Sequence, residues 1–163
     1  RFRRWQFSLG AVVAVFHDVL ITLGIFSLTY KFMPFNMEVD QSFIAAILTV
    51  IGYSLNDTVV VFDRIREYLK EYGGSKGMFT IINSAVNSTL GRTLNTSMTT
   101  LIVLLAIFIF GGASIMGFMF ALIVGVIVGT YSSIFIATPV MFDTVQKKGL
   151  KPEKKKEEEE VEA

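Results

Sequence analysis

Asp18, Asp57 and Arg92 are the residues whose placement could do chemistry. Each stands in or beside an apolar run long enough to cross a bilayer. An ionised Asp near the bilayer centre costs about 2.5–3.5 kcal/mol on insertion scales. Burial penalises the charged form, so a carboxyl held there can take up and release a proton. A group that changes charge inside a membrane carrying a potential is a candidate proton carrier. One charge crossing the full potential yields about 2.3 kcal/mol per 100 mV. Asp57 precedes the end of its run near Arg64 by about seven residues, roughly 10 Å along a helix axis. Arg92 lies a few residues inside the same side of a later run, so the two reach similar depth and are expected to pair. Asp18 lies somewhat deeper and is a less certain third member. Its neighbour His17 points about 100° away and reads as a partnered structural histidine. Asp63, among Arg64, Arg66 and Glu67, reads as part of an interfacial salt-bridge network.

The chain must hold these groups in four membrane spans. Of its 163 residues 52% are hydrophobic and only 18% charged, against about 25% charge in a soluble domain. From Thr93 to Phe142 there is no charged side chain at all. Runs of about 20 apolar residues cross the hydrocarbon as helices. The class is therefore an all-α polytopic membrane protein. The spans fall at about 6–32, 41–68, 90–110 and 114–142, with an amphipathic lead-in over 78–89. The first basic–apolar stretch continues too far, without a small-residue cleavage site, to read as a signal peptide. Pro34 and Asn36 mark the first loop, Gly111 and Gly112 the last, and "EYGGSKG" the middle break. Short first and last loops make those helix pairs antiparallel neighbours.

Arg1, Arg3, Arg4, Arg64, Arg66, Lys70, Lys76 and the six lysines after Asp143 gather on one side, and only Lys31 on the other. This bias places both termini and the middle connection in the cytoplasm. Residues 1–5 read as a cytoplasmic start of a fragment of something longer. Residues 144–163 balance six lysines with six glutamates and read as a disordered charged tail.

The third span carries two polar rows at every fourth residue. One is Ser84, Ser88, Arg92, Thr96 and Thr100; the other is Asn83, Asn87, Gly91, Asn95 and Thr99. A row Val86, Leu90, Leu94, Met98 is apolar. The polar rows must face other helices or a water-filled cavity. Asn56, Asn87, Asn95 and Thr96 are the candidate lining of a proton path, with interhelical hydrogen bonding as the plainer role for the hydroxyls. The fourth span carries Gly117, Ala121, Gly125, Gly129, Ser133 and Ala137 every fourth residue, a ridge for close helix packing. Pro139 fits a helix finishing at the interface. The chain has no cysteine and one histidine, so thiol chemistry is excluded and a metal site is not expected. No nucleophile–base pair or phosphate loop is present, so no catalytic residue, cofactor or enzyme activity is expected.

The motifs "FHDVLITLGIFSL", "GYSLNDTVVVFDRIRE" and "NSTLGRTLNTSMTTL", in this order, closely resemble the membrane half of the SecF family of protein-export subunits. "NDT" before "DRIRE" is the SecF-type form of the second motif. The resemblance covers nearly everything from Arg1 to Asp143. It implies membership of the resistance-nodulation-division superfamily of proton-driven transporters. It also implies that the four spans correspond to helices three to six of a six-helix bundle. The family's proton-coupling acid then falls on Asp57 and its partner arginine on Arg92. The implied partners are SecD, the Sec translocation channel, the translocating polypeptide and the lipid bilayer, with no nucleic acid. The implied place is the cytoplasmic membrane of a bacterium or archaeon. Two other readings remain open: a structural assembly subunit without its own proton path, and a small-molecule or lipid exporter of the same superfamily.

Overall fold

The computed structural model describes residues 5–35, 37–73 and 77–147. Arg1, Arg3, Arg4, Asn36, Lys76 and the charged tail from Lys148 onward lie outside the described residues. Secondary structure among the described residues is helical throughout: α1 (Trp5–Thr29), α2 (Gln41–Tyr72), α3 (Met78–Phe110), α4 (Ala113–Ser132), a π-helical turn (Ser133–Ala137) and α5 (Thr138–Lys147). Four helical stretches are long and apolar enough to cross a membrane; the last runs unbroken from Ala113 to Gln146 through α4, the π turn and α5.

Each boundary has a local cause. Asp40 caps α2 by accepting a hydrogen bond from the Phe43 backbone N–H at 2.9 Å. Gly112 turns α3 into α4 with φ of 83°, a left-handed conformation that a Cβ would strain. The expected lead-in and third span form one continuous helix of 33 residues. At 1.5 Å per residue that is about 50 Å, longer than the hydrocarbon, so α3 extends well beyond it. The fourth span continues past Phe142, because Pro139 does not end it. Proline removes one backbone donor and crowds the carbonyl four residues back, here Phe135. The π turn ends at Ala137, two residues before Pro139, so the departure from α geometry falls on the turn that the proline ring crowds.

α2 and α4 form the centre. α2 packs against α1, α3 and α4; α1 and α3 flank the pair, each also touching α4. α2 and α4 run parallel and in register. A Cβ on Gly125 would meet Val50 at 2.0 Å, and one on Gly129 would meet Ser54 at 3.2 Å. Close to the π turn, a Cβ on Gly10 of α1 would stand 2.7 Å from the Ala137 carbonyl oxygen. The small-residue ridge thus brings backbones together, with Ala121, Gly125, Gly129, Ser133 and Ala137 buried and Gly117 half-buried.

Two apolar clusters close the ends of the bundle. Phe7, Phe62, Ile65, Ile82 and Met141 anchor one; Phe26, Phe43, Val50 and Leu122 anchor the other. Phe7 meets Phe62 edge-on at 5.3 Å between centroids, and Phe26 meets Phe43 at 4.2 Å. Between the clusters lies a layer of buried polar side chains: Asp18, Thr22, Ser54, Asp57, Thr58, Thr93, Ser97, Thr130, Ser132 and Ser133. Large apolar side chains such as Val12, Phe16, Leu48 and Ile102 face outward, as lipid contact requires.

Candidate functional site: two buried acids on a hydroxyl frame

The polar layer is organised around two carboxyls. Asp18 is wholly buried and Asp57 is 8% exposed. Asp18 Oδ2 accepts hydrogen bonds from Ser54 Oγ of α2 and, at 2.7 Å, from Ser132 Oγ. Asp18 Oδ1 lies 3.2 Å from Nδ1 of the adjacent His17. Asp57 Oδ2 accepts from Ser133 Oγ at 2.8 Å. Two consecutive serines at the head of the π turn therefore hold acids on two different helices. Adjacent helical residues project about 100° apart, so Ser132 reaches α1 while Ser133 reaches α2. π turns recur at functional sites. Thr138 Oγ1 donates to the Ser133 carbonyl, five residues back, at 3.2 Å and braces the widened turn.

A hydroxyl chain lies one turn away along α2. Tyr53 donates to Ser97 Oγ at 3.1 Å, Ser97 to Thr130 Oγ1 at 2.6 Å, and Thr130 to the Val126 carbonyl at 2.7 Å. Thr93 Oγ1 lies beside the Asp57 carboxyl without reaching hydrogen-bond geometry. It, Thr22 Oγ1 and Thr58 Oγ1 are buried hydroxyls with no partner among the described residues. Such groups are costly to bury and rare in native interiors.

Arg92 departs from its expected place. Among the described residues no ion pair joins it to Asp57; the acid's partner is Ser133. The physical reason is helix phase. Thr93 fills the buried face of α3 at 2% exposure, so its neighbour Arg92 is turned about 100° outward. Arg92 instead lines a cleft between α2 and α3 with Val60, Asp63, Arg64, Glu67, Ser88 and Thr89. Asp63 pairs with Arg66 at 3.6 Å, and Arg64 with Glu67 at 2.7 Å. Arg64 Nε also donates to Ser88 Oγ at 3.0 Å, and its guanidinium lies 4.9 Å from the Tyr68 ring centroid. The network expected around Asp63 is present. Thr89 and Thr93, one turn apart, connect this cleft to Asp57 along α3.

The expected path lining also lies elsewhere. Asn56, Asn87, Asn95 and Thr96 are exposed on the outer surface of the four helices. The buried face of α3 is Ala85, Thr89, Thr93 and Ser97. That row shares the four-residue spacing of the others and is small or polar throughout, so the signal was present in the sequence. Ser54, Ser132 and Ser133 were likewise not singled out as partners of the acids. Among the described residues no cluster of three metal-ligating side chains forms.

Residues 1–147 match the family model described as "Protein export membrane protein SecD/SecF, C-terminal". The chain is 60% identical over 139 residues to the protein translocase subunit SecF of Rhodothermus marinus, covering 85% of this chain and 45% of that protein. It is 45% identical over 138 residues to the SecF of Sebaldella termitidis, covering 85% of this chain and 43% of that protein. The chain thus spans less than half the length of these curated relatives. It superposes on a crystal structure of SecDF in its super-membrane-facing form with a TM-score of 0.80 at 39% identity, over 88% of this chain and 19% of the other. A second SecDF crystal structure, a translocon-associated membrane protein from Thermus thermophilus, gives 0.79 at 39% identity, over 87% of this chain and 19% of the other. Three sequence motifs, the helix order and these similarities agree, and the chain belongs to the SecD/SecF C-terminal family of protein-export membrane proteins.

Proposed function

We propose that the protein carrying this segment is a membrane subunit of the Sec export machinery, and that it couples proton movement to late-stage translocation of polypeptide across the cytoplasmic membrane. Asp57 is the proton-exchanging group. The observation that carries this reading is its setting: a nearly buried carboxyl in the mid-bundle polar layer, held by one hydroxyl and flanked by Thr93. Such intramembrane acids mark ion and proton pathways. Arg92 acts from the α2–α3 cleft that it lines, where its charge sets the field on a proton approaching Asp57. Asp18 is the second acid of the pair. SecD, the translocation channel and the exported chain are the partners. The Lys and Arg bias places the Arg64 end of the bundle in the cytoplasm.

The test uses the complete SecD–SecF pair in membrane vesicles. Asp57→Asn is expected to abolish proton-driven export while copurifying with its partners. Persistence of gradient-dependent export in that variant overturns the reading.

A second reading, an assembly subunit, draws on the outward polar rows of α3. Asn87 and Asn95 are exposed on α3, and in a membrane only another protein segment or a water-filled space would satisfy their amides, whereas Thr96 already donates to the Arg92 carbonyl at 2.9 Å. On that reading Asn95→Leu weakens copurification of SecD. The two roles are separable, because the row lies outside the bundle and Asp57 inside it.

A further inference from the structure

Ser132 and Ser133 each stand between two acceptors but carry a single hydroxyl hydrogen. Ser133 Oγ is 2.8 Å from Asp57 Oδ2 and 3.0 Å from the Thr130 carbonyl. Ser132 Oγ is 2.7 Å from Asp18 Oδ2 and 3.3 Å from the Gly129 carbonyl. An ionised carboxylate is acceptor-only and draws the hydrogen to itself; charge-assisted bonds are about twice as strong as neutral ones. A protonated carboxyl can donate instead, which leaves the serine free to turn its hydrogen to the helix carbonyl.

We propose that Ser132 and Ser133 are proton-state-dependent donor switches, positioning residues that register the charge of both acids in one turn of backbone. This inference rests on the reading of Asp57 as a proton-exchanging group. When Asp57 takes a proton from the aqueous side, its O–H donates to Ser133 Oγ, and Ser133 donates to the Thr130 carbonyl. When the proton leaves, Ser133 swings back to the carboxylate. No bond other than the carboxyl O–H is made or broken, and the proton count on Ser133 is unchanged throughout.

The switch acts where the backbone is most able to respond. The serines are adjacent, so a shift at one changes the aim of the other, and their acids sit on α1 and α2 respectively. The turn they open is the π turn, whose Ser133 carbonyl is already shared with the Thr138 hydroxyl. Past it, Ala137 and Met141 pack on Gly10 of α1 so tightly that a Cβ there would meet both within 3.3 Å. Movement of the π turn therefore carries to α1 and α5 rather than being absorbed locally.

The test uses isotope-edited infrared spectra and gradient-driven export of the complete SecD–SecF pair. The carboxyl C=O band lost in Asp57→Asn is assigned to Asp57, and that lost in Asp18→Asn to Asp18. Ser133→Ala is expected to shift the Asp57 band and lower the proton-driven rate about ten- to a hundredfold, as loss of a hydrogen bond to a charged group does. Ser133→Thr restores both, because it keeps the hydroxyl. Ser132→Ala shifts the Asp18 band, which keeps the proposal open to refutation if Ser133→Ala fails to assemble. Unmoved bands in the assembled alanine variants overturn the switch, even where export falls. An Asp57→Asn variant that still exports on the gradient overturns instead the proton-coupling reading beneath it.

Discussion

Gly125→Ala should be the most damaging small change on the fourth span, and the geometry says why. A Cβ at Gly125 would lie 2.0, 2.7 and 2.9 Å from Val50 Cγ2, Cγ1 and Cβ, all well inside van der Waals contact. Val50 is 1% exposed and β-branched, so its one favoured rotamer leaves it no free volume to move into. The helices must separate, and overpacking of this kind costs about 1–3 kcal/mol. At Gly129 the nearest atoms are Ser54 Cβ at 3.2 Å and Cα at 3.5 Å, so a shift of a few tenths of an ångström suffices. Gly129→Ala should therefore cost well under about 1 kcal/mol by the same reasoning. In lipid, packing itself drives helix association, so none of this loss is offset by a hydrophobic term. The assay is a double-mutant cycle by thermal or denaturant unfolding in detergent, with Val50→Ala as the second change. Val50→Ala alone removes buried methyl groups at a cost of about 2 kcal/mol. In the Gly125→Ala background it should cost far less, with a coupling of about 1–3 kcal/mol. Additive losses, or Gly129→Ala proving worse than Gly125→Ala, would refute the reasoning.

Two further outcomes follow from local features. Asp40→Ala removes the side-chain cap on the Phe43 N–H and should lower stability by about 1 kcal/mol, with Asp40→Asn or Asp40→Ser recovering most of it in the same unfolding assay. Single cysteines should report the orientation set by charge. In the complete protein in intact cells, Lys31→Cys should react with a membrane-impermeant thiol reagent, and Lys70→Cys only after the cytoplasm is opened. The reverse pattern would invert the topology.

Much of the architecture is legible in the residues. Four long apolar runs, two short loops and a small-residue ridge lead directly to four packed spans, and Asp18 and Asp57 stand out because lipid penalises them. Helix phase is what the sequence left undetermined. Thr93 and Arg92 are neighbours, and only contact with α2 and α4 decides that the threonine turns inward and the arginine toward the cleft. The same ambiguity put Asn87, Asn95 and Thr96 on the expected path, while the equally spaced Ala85, Thr89, Thr93 and Ser97 face the core. Which neighbours Ser132 and Ser133 meet depends on helix phase in the same way, and contact with α1 and α2 decides it. Pro139 is the one local irregularity that the sequence marks there: it removes a backbone donor and crowds the preceding turn, and the helix departs from α geometry at Ser133–Ala137.

Proton flux into sealed vesicles tests the account most directly. Vesicles holding the complete SecD–SecF pair, loaded with a pH-sensitive dye, receive an imposed gradient. Flux should be present with Asp57 intact, fall to the level of empty vesicles in Asp57→Asn, and return in part in Asp57→Glu, which keeps an ionisable carboxyl. Undiminished flux through Asp57→Asn would contradict it, since no described residue other than Asp57 unites a carboxyl, near-complete burial and contact with Ser133.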